Sequence, residues 1–109
     1  IADITKGTSN QLLVGEKYLN PNNYRNGSDG GDNECMYTGL NNDVYRSTSS
    51  PPMQDRPGVS DTIRFGSMHP AGVNVVQGDG AVRVITYQVD TTVFRAYGNI
   101  GSSTVINLP

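Results

Sequence analysis

The chain has 109 residues, a mass of 11.7 kDa, a net charge of −2 and a pI near 5.1. Its eight lysines and arginines are scattered along the sequence, which argues against binding to nucleic acid or to anionic membranes, because both require a basic surface. No apolar run approaches the roughly 20 residues that cross a bilayer, so direct membrane insertion by this segment is not expected. The length predicts a single globular portion, residues 1–109, with a modest core, since only 35% of the residues are hydrophobic.

The first regular element is a predicted strand at residues 11–18. The alternation of side chains in a strand places Leu12 and Val14 on one face and Leu13 on the other. Gly15 indicates a bulge or a close approach of another segment to the backbone.

Residues 25–43 have the least regular pattern, with turn formers such as Asn26-Gly27 throughout. A short apolar segment at residues 35–38 predicts a buried strand. Cys35 is the single cysteine, so an internal disulfide is excluded. Three interpretations of its thiol remain: a buried free thiol, a bond to a cysteine in another segment or subunit, and a reactive thiolate. No basic residue lies near Cys35 in the sequence to lower the pKa of its thiol, which argues against a reactive thiolate.

Residues 44–60 contain a run of Ser, Thr and Pro without periodicity, which predicts a surface loop. A strand at residues 61–65 is expected to follow it.

The strongest local pattern lies at residues 73–87, where two runs of β-formers flank Gly78-Asp79-Gly80. The Asp-Gly pair favours a two-residue type I′ turn, which requires a positive φ at both central residues. This turn predicts a hairpin that pairs Val75 with Val84 and Gln77 with Val82. Val82 and Val84 would then share the apolar face of the hairpin.

A short helix at residues 91–97 is predicted after the hairpin, because Asp90 is a suitable N-cap and Phe94 and Tyr97 provide an apolar face. A final strand is predicted at residues 103–108. The expected fold is α+β and β-rich, with an antiparallel sheet centred on the hairpin, one short helix and long irregular loops.

The hairpin stretch also carries a motif: His69 is followed by nine residues and then by Asp79-Gly80. Together with the segments at residues 4–10, 12–17, 30–34, 65–67 and 90–96, it resembles the prepilin-like, pseudopilin-related envelope proteins best known from planctomycetes. These carry a C-terminal His-X9-Asp-Gly processing-associated domain. Their N-terminal cleavage motif and long hydrophobic helix have no match here, so the chain resembles the C-terminal part of a longer pilin-like protein.

The resemblance implies a structural protein of the bacterial cell envelope or extracellular space. It would be the globular head of a filament or of a type II secretion-like component. The implied partners are copies of itself, other pilin-like subunits and the missing N-terminal portion of the same protein. His69, Asp79 and Gly80 are implied to be motif residues with a structural role.

Catalysis by Ser67, His69 and Asp79 is not expected. A strand rises about 3.3 Å per residue, so His69 and Asp79 should lie at opposite ends of the first hairpin strand. Asp79 is interpreted as a turn residue that binds nearby backbone amides. His69 is interpreted as a residue that fixes a turn, with metal or partner contact as the alternatives.

The densest group of oxygen ligands consists of Asp29, Asp32, Asn33 and Glu34. Gly/Asn/Asp loops often supply Ca²⁺ ligands, but this spacing does not match the Asp-x-Asp-x-Asp-Gly loop. Related pseudopilins commonly hold calcium in a C-terminal loop, so the resemblance keeps a structural calcium ion open. The alternative is a solvated acidic loop with Glu34 paired to an arginine. No other cofactor is expected, and one cysteine with one histidine argues against zinc.

An extracellular module that binds carbohydrate or another polymer is the second functional hypothesis. It would use the irregular loops of residues 20–57 and the aromatic faces of tyrosines, which suit sugar rings. The competing interpretation is that the tyrosines pack in the interior. The six tyrosines lie at positions 18, 24, 37, 45, 87 and 97.

Overall fold

Three antiparallel strands and one helix form the framework of the structure, a computed structural model that describes residues 2–35 and 37–102. The predicted strand at residues 103–108 lies outside the described residues. The elements in chain order are β1 (Leu12–Gly15), β2 (Met53–Gln54), β3 (Gly66–Ser67), β4 (Val73–Gln77), β5 (Val82–Ile85) and α1 (Thr91–Gly98). The main sheet has the order β1–β4–β5, and β2 pairs with β3 in parallel. The predicted α+β, β-rich fold is confirmed.

The core lies between α1 and one face of the main sheet. Phe94 and Tyr97 of α1 are fully buried, and Phe65 meets Phe94 edge to face, with ring centroids 6.2 Å apart. This geometry adds to the burial of the two rings, because aromatic pairs favour edge-to-face contact. The buried residues of this cluster are Leu12, Val75, Ile85, Val89, Phe94 and Tyr97.

Both ends of α1 are capped by side chains. The Asp90 carboxylate accepts a hydrogen bond from the Val93 N–H at 3.1 Å, as the sequence predicts. At the other end the Lys6 ammonium donates to the carbonyls of Ala96 and Asn99. A cation at this end also interacts favourably with the helix dipole. Burial lowers the pKa of Lys6.

The hairpin is confirmed, but its turn is not type I′. The Gln77 N–H donates to the Ala81 carbonyl at 2.9 Å, so the connection has three residues. Within it only Gly80 has a positive φ, 85°, whereas a type I′ turn needs two such residues. A three-residue loop of this kind is a type I turn followed by a left-handed glycine.

The longer loop shifts the predicted register of β5 by one residue. Val75 lies opposite Arg83, and Val76 lies opposite Val82. Because side chains alternate between faces, a one-residue shift moves every side chain of the strand to the other side. The prediction that Val82 and Val84 share a face with Gln77 and Val75 is therefore wrong.

Strand β1 is confirmed with a bulge between Leu12 and Val14. The extra residue places these two side chains on opposite faces: Leu12 is buried and Val14 is 60% exposed. The prediction that they share a face is wrong for this reason. The close approach predicted at Gly15 is present, since a Cβ there would lie 2.9 Å from Cδ1 of Phe65.

The apolar segment around Cys35 is not a buried strand in the described part of the chain. Thr38 N–H donates to the Cys35 carbonyl at 3.1 Å, which closes a turn, and Tyr37 is exposed. Cys35 is an exposed free cysteine, so the prediction of a buried thiol is wrong. A hydrogen bond with the Thr38 hydroxyl lowers the pKa of the thiol.

The strand predicted at residues 61–65 begins later than expected. Asp61 accepts hydrogen bonds from the N–H groups of Ile63 and Arg64, which makes its start a turn. Arg64 and Phe65 form single bridges, and regular pairing begins at Gly66 in β3. The segment predicted as a surface loop, residues 44–60, contains β2.

Candidate functional site

The outer face of the main sheet, opposite α1, is lined by valines. Val14, Val76 and Val82 lie side by side across the three strands, and Val84 follows on β5. Val82 is 70% exposed and Val84 is 50% exposed. We call these four residues the valine face. The sheet is thus apolar on both sides, although α1 covers only one of them.

The exposed apolar surface continues beyond the sheet through Val14. Leu13, Val44 and Tyr45, each more than half exposed, join Val14 around a groove of about 330 Å³. With Val82 and Val84 they form a row of side chains that are each at least half exposed. Exposed apolar surfaces of this kind are typical of interaction sites.

His69 lies at the end of the sheet, beside the valine face. Its Nε2 is 3.5 Å from Oε1 of Glu16, and the other Glu16 oxygen accepts a hydrogen bond from the Asn74 N–H at 2.8 Å. Glu16 therefore links the imidazole to the first residues of β4. Both side chains are substantially exposed, so this contact is solvent-screened and its effect on stability is small.

Asp79 lies at the opposite end of β4 and fixes the hairpin loop, as predicted. Its Oδ1 accepts hydrogen bonds from the Ala81 N–H at 2.9 Å and from the Gln77 side chain at 3.3 Å. The Ala81 hydrogen bond is the main cause that lowers the pKa of Asp79. Gly80 next to it supplies the left-handed residue that the loop requires.

The structure does not assemble Ser67, His69 and Asp79 as a triad. The Ser67 hydroxyl oxygen accepts a hydrogen bond from the backbone N–H of His69 at 2.9 Å, not from its ring. The imidazole instead pairs with Glu16, and Asp79 binds its own loop. What these contacts do is hold local backbone in place.

Tyr87 fixes the turn that carries His69, a role that sequence reasoning missed. Its hydroxyl lies within hydrogen-bond distance of the carbonyls of Ser67, His69 and Gly72, which follow the turn around it. Burial raises the pKa of Tyr87. The one signal in the sequence is that Tyr87 lies just beyond the second hairpin strand. In a hairpin, the end of the second strand lies beside the start of the first strand.

Two of the four predicted calcium ligands, Asp29 and Asp32, already bind protein groups. Asp29 is buried, and its two oxygens accept hydrogen bonds from the Asn20 and Gly31 N–H groups, both at 2.8 Å. Asp32 pairs with Lys17 at 2.7 Å. Within residues 2–35 and 37–102, no three His, Cys, Asp or Glu side chains converge on a point where they could hold a metal ion.

The remaining two predicted ligands, Asn33 and Glu34, are exposed. The Glu34 N–H donates to Asp43 at 2.7 Å, which joins this loop to the next one. Two cations anchor this pair of loops. Lys17 donates to the carbonyls of Gly31 and Asp43, and Arg46 donates to the carbonyl of Asn42. The scattered positions of the basic residues in the sequence give no sign of this role.

The tyrosines do not form one platform. Tyr18 and Tyr97 are fully buried, whereas Tyr24, Tyr37 and Tyr45 are exposed at separate places in the chain. Tyr45 is the one that borders the groove.

Comparison with known families finds a match for this chain. Residues 1–92 match the family model SBP_bac_10, described as a protein of unknown function (DUF1559). The chain belongs to the DUF1559 family. Searches of the curated proteins and of the solved structures each find no match.

The DUF1559 match spans all five strands, the His69 turn and the valine face, and it ends two residues into α1. In the described part of this DUF1559 protein, no helix has both the length and the hydropathy needed to span a membrane. The family description assigns no activity to its members.

Proposed function

We propose that this DUF1559 domain is the globular head of a pilin- or pseudopilin-like protein and that it functions by assembly. The proposed location is the cell envelope or an extracellular filament or secretion component. The observation that carries the proposal is the valine face with its continuation at Leu13, Val44 and Tyr45. A folded domain rarely leaves such a surface in water without a partner.

The proposed partner is a second copy of this chain. A stable interface buries roughly 800 Å² on each partner, and somewhat more than half of that area is apolar. The valine face with Leu13, Val44 and Tyr45 would supply apolar side chains for one side of such an interface. The contacts of the His-X9-Asp-Gly segment hold the turn and the loop at the two ends of β4. In this proposal the segment is a scaffold that supports the valine face.

Replacing Val82 with lysine tests the proposal. A charge at the centre of an interface is strongly unfavourable when it is buried without a partner, so Val82→Lys should prevent assembly. Ile63→Lys is the matched control, since Ile63 is 58% exposed but lies outside the main sheet. Sedimentation velocity and electron microscopy of the full-length protein would report the assembly, and circular dichroism would verify that both variants fold.

Wild-type protein and Ile63→Lys should form the same oligomers or filaments, and Val82→Lys should remain monomeric. Wild-type protein that stays monomeric at every concentration would contradict the proposal, as would Val82→Lys protein that assembles normally.

A polymer-binding module is the second candidate, and the groove beside Tyr45 is the observation that favours it. The groove combines the Tyr45 ring with the polar residues Lys17, Asp43 and Arg46. Two buried atoms here, Oδ1 of Asp43 and Nε of Arg46, have no hydrogen-bond partner among the described residues. An aromatic wall with polar groups is suited to a sugar.

A glycan array would separate the two functions. Glycan binding that Tyr45→Ala abolishes and Tyr37→Ala preserves would favour the polymer-binding module. Tyr37 is a suitable control because it is exposed and does not line the groove.

A further inference from the structure

The Asn26-Gly27 pair differs from every other asparagine position in the chain. Of eleven asparagines, Asn26 alone is followed by glycine. Asparagine can react with the backbone nitrogen of the next residue, and any side chain on that residue hinders the reaction. Glycine offers no such hindrance. The sequence therefore singles out Asn26 as the position with the least steric barrier.

The fold presents this pair in a reactive setting. Asn26 and Gly27 are both exposed, and a Cβ built on Gly27 would meet no atom within 4 Å. The attacking group, the Gly27 N–H, makes no hydrogen bond within residues 2–35 and 37–102. The group under attack is polarised, because Oδ1 of Asn26 accepts a hydrogen bond from the Ser28 N–H at 2.9 Å.

We propose that Asn26 is a site of spontaneous deamidation in the folded protein. The Gly27 nitrogen loses its proton and attacks Cγ of Asn26, a C–N bond forms, and the side-chain nitrogen leaves as ammonia. Water then opens the resulting five-membered succinimide at either carbonyl and gives aspartate or isoaspartate. The net change is addition of one water and loss of one ammonia, so no further reactant is needed.

The modification has a defined local consequence. In the unmodified chain Nδ2 of Asn26 donates to Oδ1 of Asn23 at 3.1 Å. A carboxylate cannot donate, so the product has two oxygen acceptors facing each other and carries one additional negative charge. The loop beyond is held by Asp29, which binds the Asn20 and Gly31 amides. The change should therefore stay within residues 20–31.

Mass spectrometry of the intact protein tests the proposal. Wild-type protein is incubated at 37 °C and mildly alkaline pH, digested, and mapped. The peptide with Asn26 should gain about one mass unit, as expected for exchange of an amide for a carboxylate, and contain isoaspartate. Peptides with Asn41 and Asn99, which are followed by larger residues, should change at least about tenfold more slowly.

Two variants and an unfolded control complete the test. Asn26→Gln should abolish the mass change, because attack would then require a six-membered ring. Gly27→Ala should slow it about tenfold, although the φ of 67° at Gly27 strains an alanine. Deamidation at Asn26 in urea but not in the folded protein would overturn the proposal, since the fold would then protect the site. Equal rates at Asn26 and Asn41 in the folded protein would also overturn it.

Discussion

Tyr87 holds the turn before β4 through a single hydroxyl group. The carbonyls of Ser67, His69 and Gly72 all lie within its reach, so the proton of this hydroxyl always has an acceptor in the turn. Without this hydroxyl, the carbonyl that accepts its single proton must find water or another donor. At the scale of one residue, this contact joins the His69 turn to the end of the hairpin.

Tyr87→Phe should destabilise the domain by about 1–2 kcal/mol, the usual cost of removing a hydrogen bond and leaving a partner unsatisfied. Urea unfolding would measure this change in the free energy of unfolding. Tyr37→Phe is the control, because Tyr37 is 87% exposed and should show no effect. Equal unfolding midpoints for wild type and Tyr87→Phe would contradict the assigned role.

His69 illustrates what could not be predicted for a single residue. The sequence marked it as a motif residue with a structural role, but its contact with Glu16 joins positions far apart in the chain. Glu16 lies in the segment 12–17 that carries the family resemblance, but nothing in the sequence places it beside His69. The spacing of the motif predicts correctly that β4 separates His69 from Asp79, because an extended strand has a fixed rise.

At the scale of elements, α1 and β4 are joined by one buried hydrogen bond. The Tyr97 hydroxyl donates to Oε1 of Gln77 at 3.1 Å, and both side chains are buried. Burial raises the pKa of Tyr97 to about 12. This contact couples stability to pH in the alkaline range.

The sign of the coupling follows from the two states. Between pH 10 and 12 the unfolded chain releases the Tyr97 proton while the folded chain retains it, so the stability falls as pH rises. Tyr97→Phe should lose about 1–2 kcal/mol at neutral pH, because Gln77 loses its donor, and should show a shallower fall above pH 10. Denaturant unfolding at pH 7, 10 and 11 would measure both; parallel pH profiles for the two proteins would contradict the burial of Tyr97.

Gly66 allows β3 to pass directly over the backbone of Tyr18. A Cβ at position 66 would lie 2.6 Å from Cβ of Tyr18 and 2.5 Å from the Met53 carbonyl oxygen. Gly66→Ala should therefore destabilise the domain by about 1–3 kcal/mol, the range for overpacked sites. Thermal unfolding would measure the effect, with Gly30→Ala as the control because its Cβ meets only a methyl group at 3.3 Å. An equal melting temperature for both variants would show that β2 and β3 are not packed in this way.

Local signals predicted elements well and their pairing less well. The Asp90 cap and the hairpin depend on neighbouring residues, so the sequence could predict them. The pairing of Val14 with Val76 crosses most of the chain and leaves no local signal. The register of β5 depends on whether the loop of the hairpin has two or three residues. An Asp-Gly pair suits both loop lengths. The two-residue loop placed Val82 on the same face as Val75 and Gln77 and concealed the valine face. Both faces of the hairpin carry valines, and this pattern in the sequence could have revealed the valine face.

The whole molecule consists of a small sheet and helix with two anchored loops at one side. Lys17 and Arg46 hold the acidic loops through carbonyls and through Asp32. Burial lowers the pKa of Arg46, although Asp29 and other carboxylates oppose this effect. Lys17 and Arg46 therefore hold these loops together. The sequence leaves two interpretations of this region open, a bound calcium ion and a solvated acidic loop.

Calcium removal should leave the melting temperature unchanged to within about 1 °C, because Asp29 and Asp32 already bind protein groups. Differential scanning calorimetry in chelator and in millimolar Ca²⁺ would measure this. A rise of several degrees with Ca²⁺ that Asp32→Asn abolishes would show instead that the loop holds an ion.

Assembly through the valine face is the central claim, and methyl NMR of the wild-type protein at increasing concentration tests it most directly. The Val14, Val82 and Val84 methyl signals should shift or broaden as copies associate, while those of Ile63 should stay constant. Changes centred on Ile63, or no change in the valine signals under conditions where the protein assembles, would contradict it.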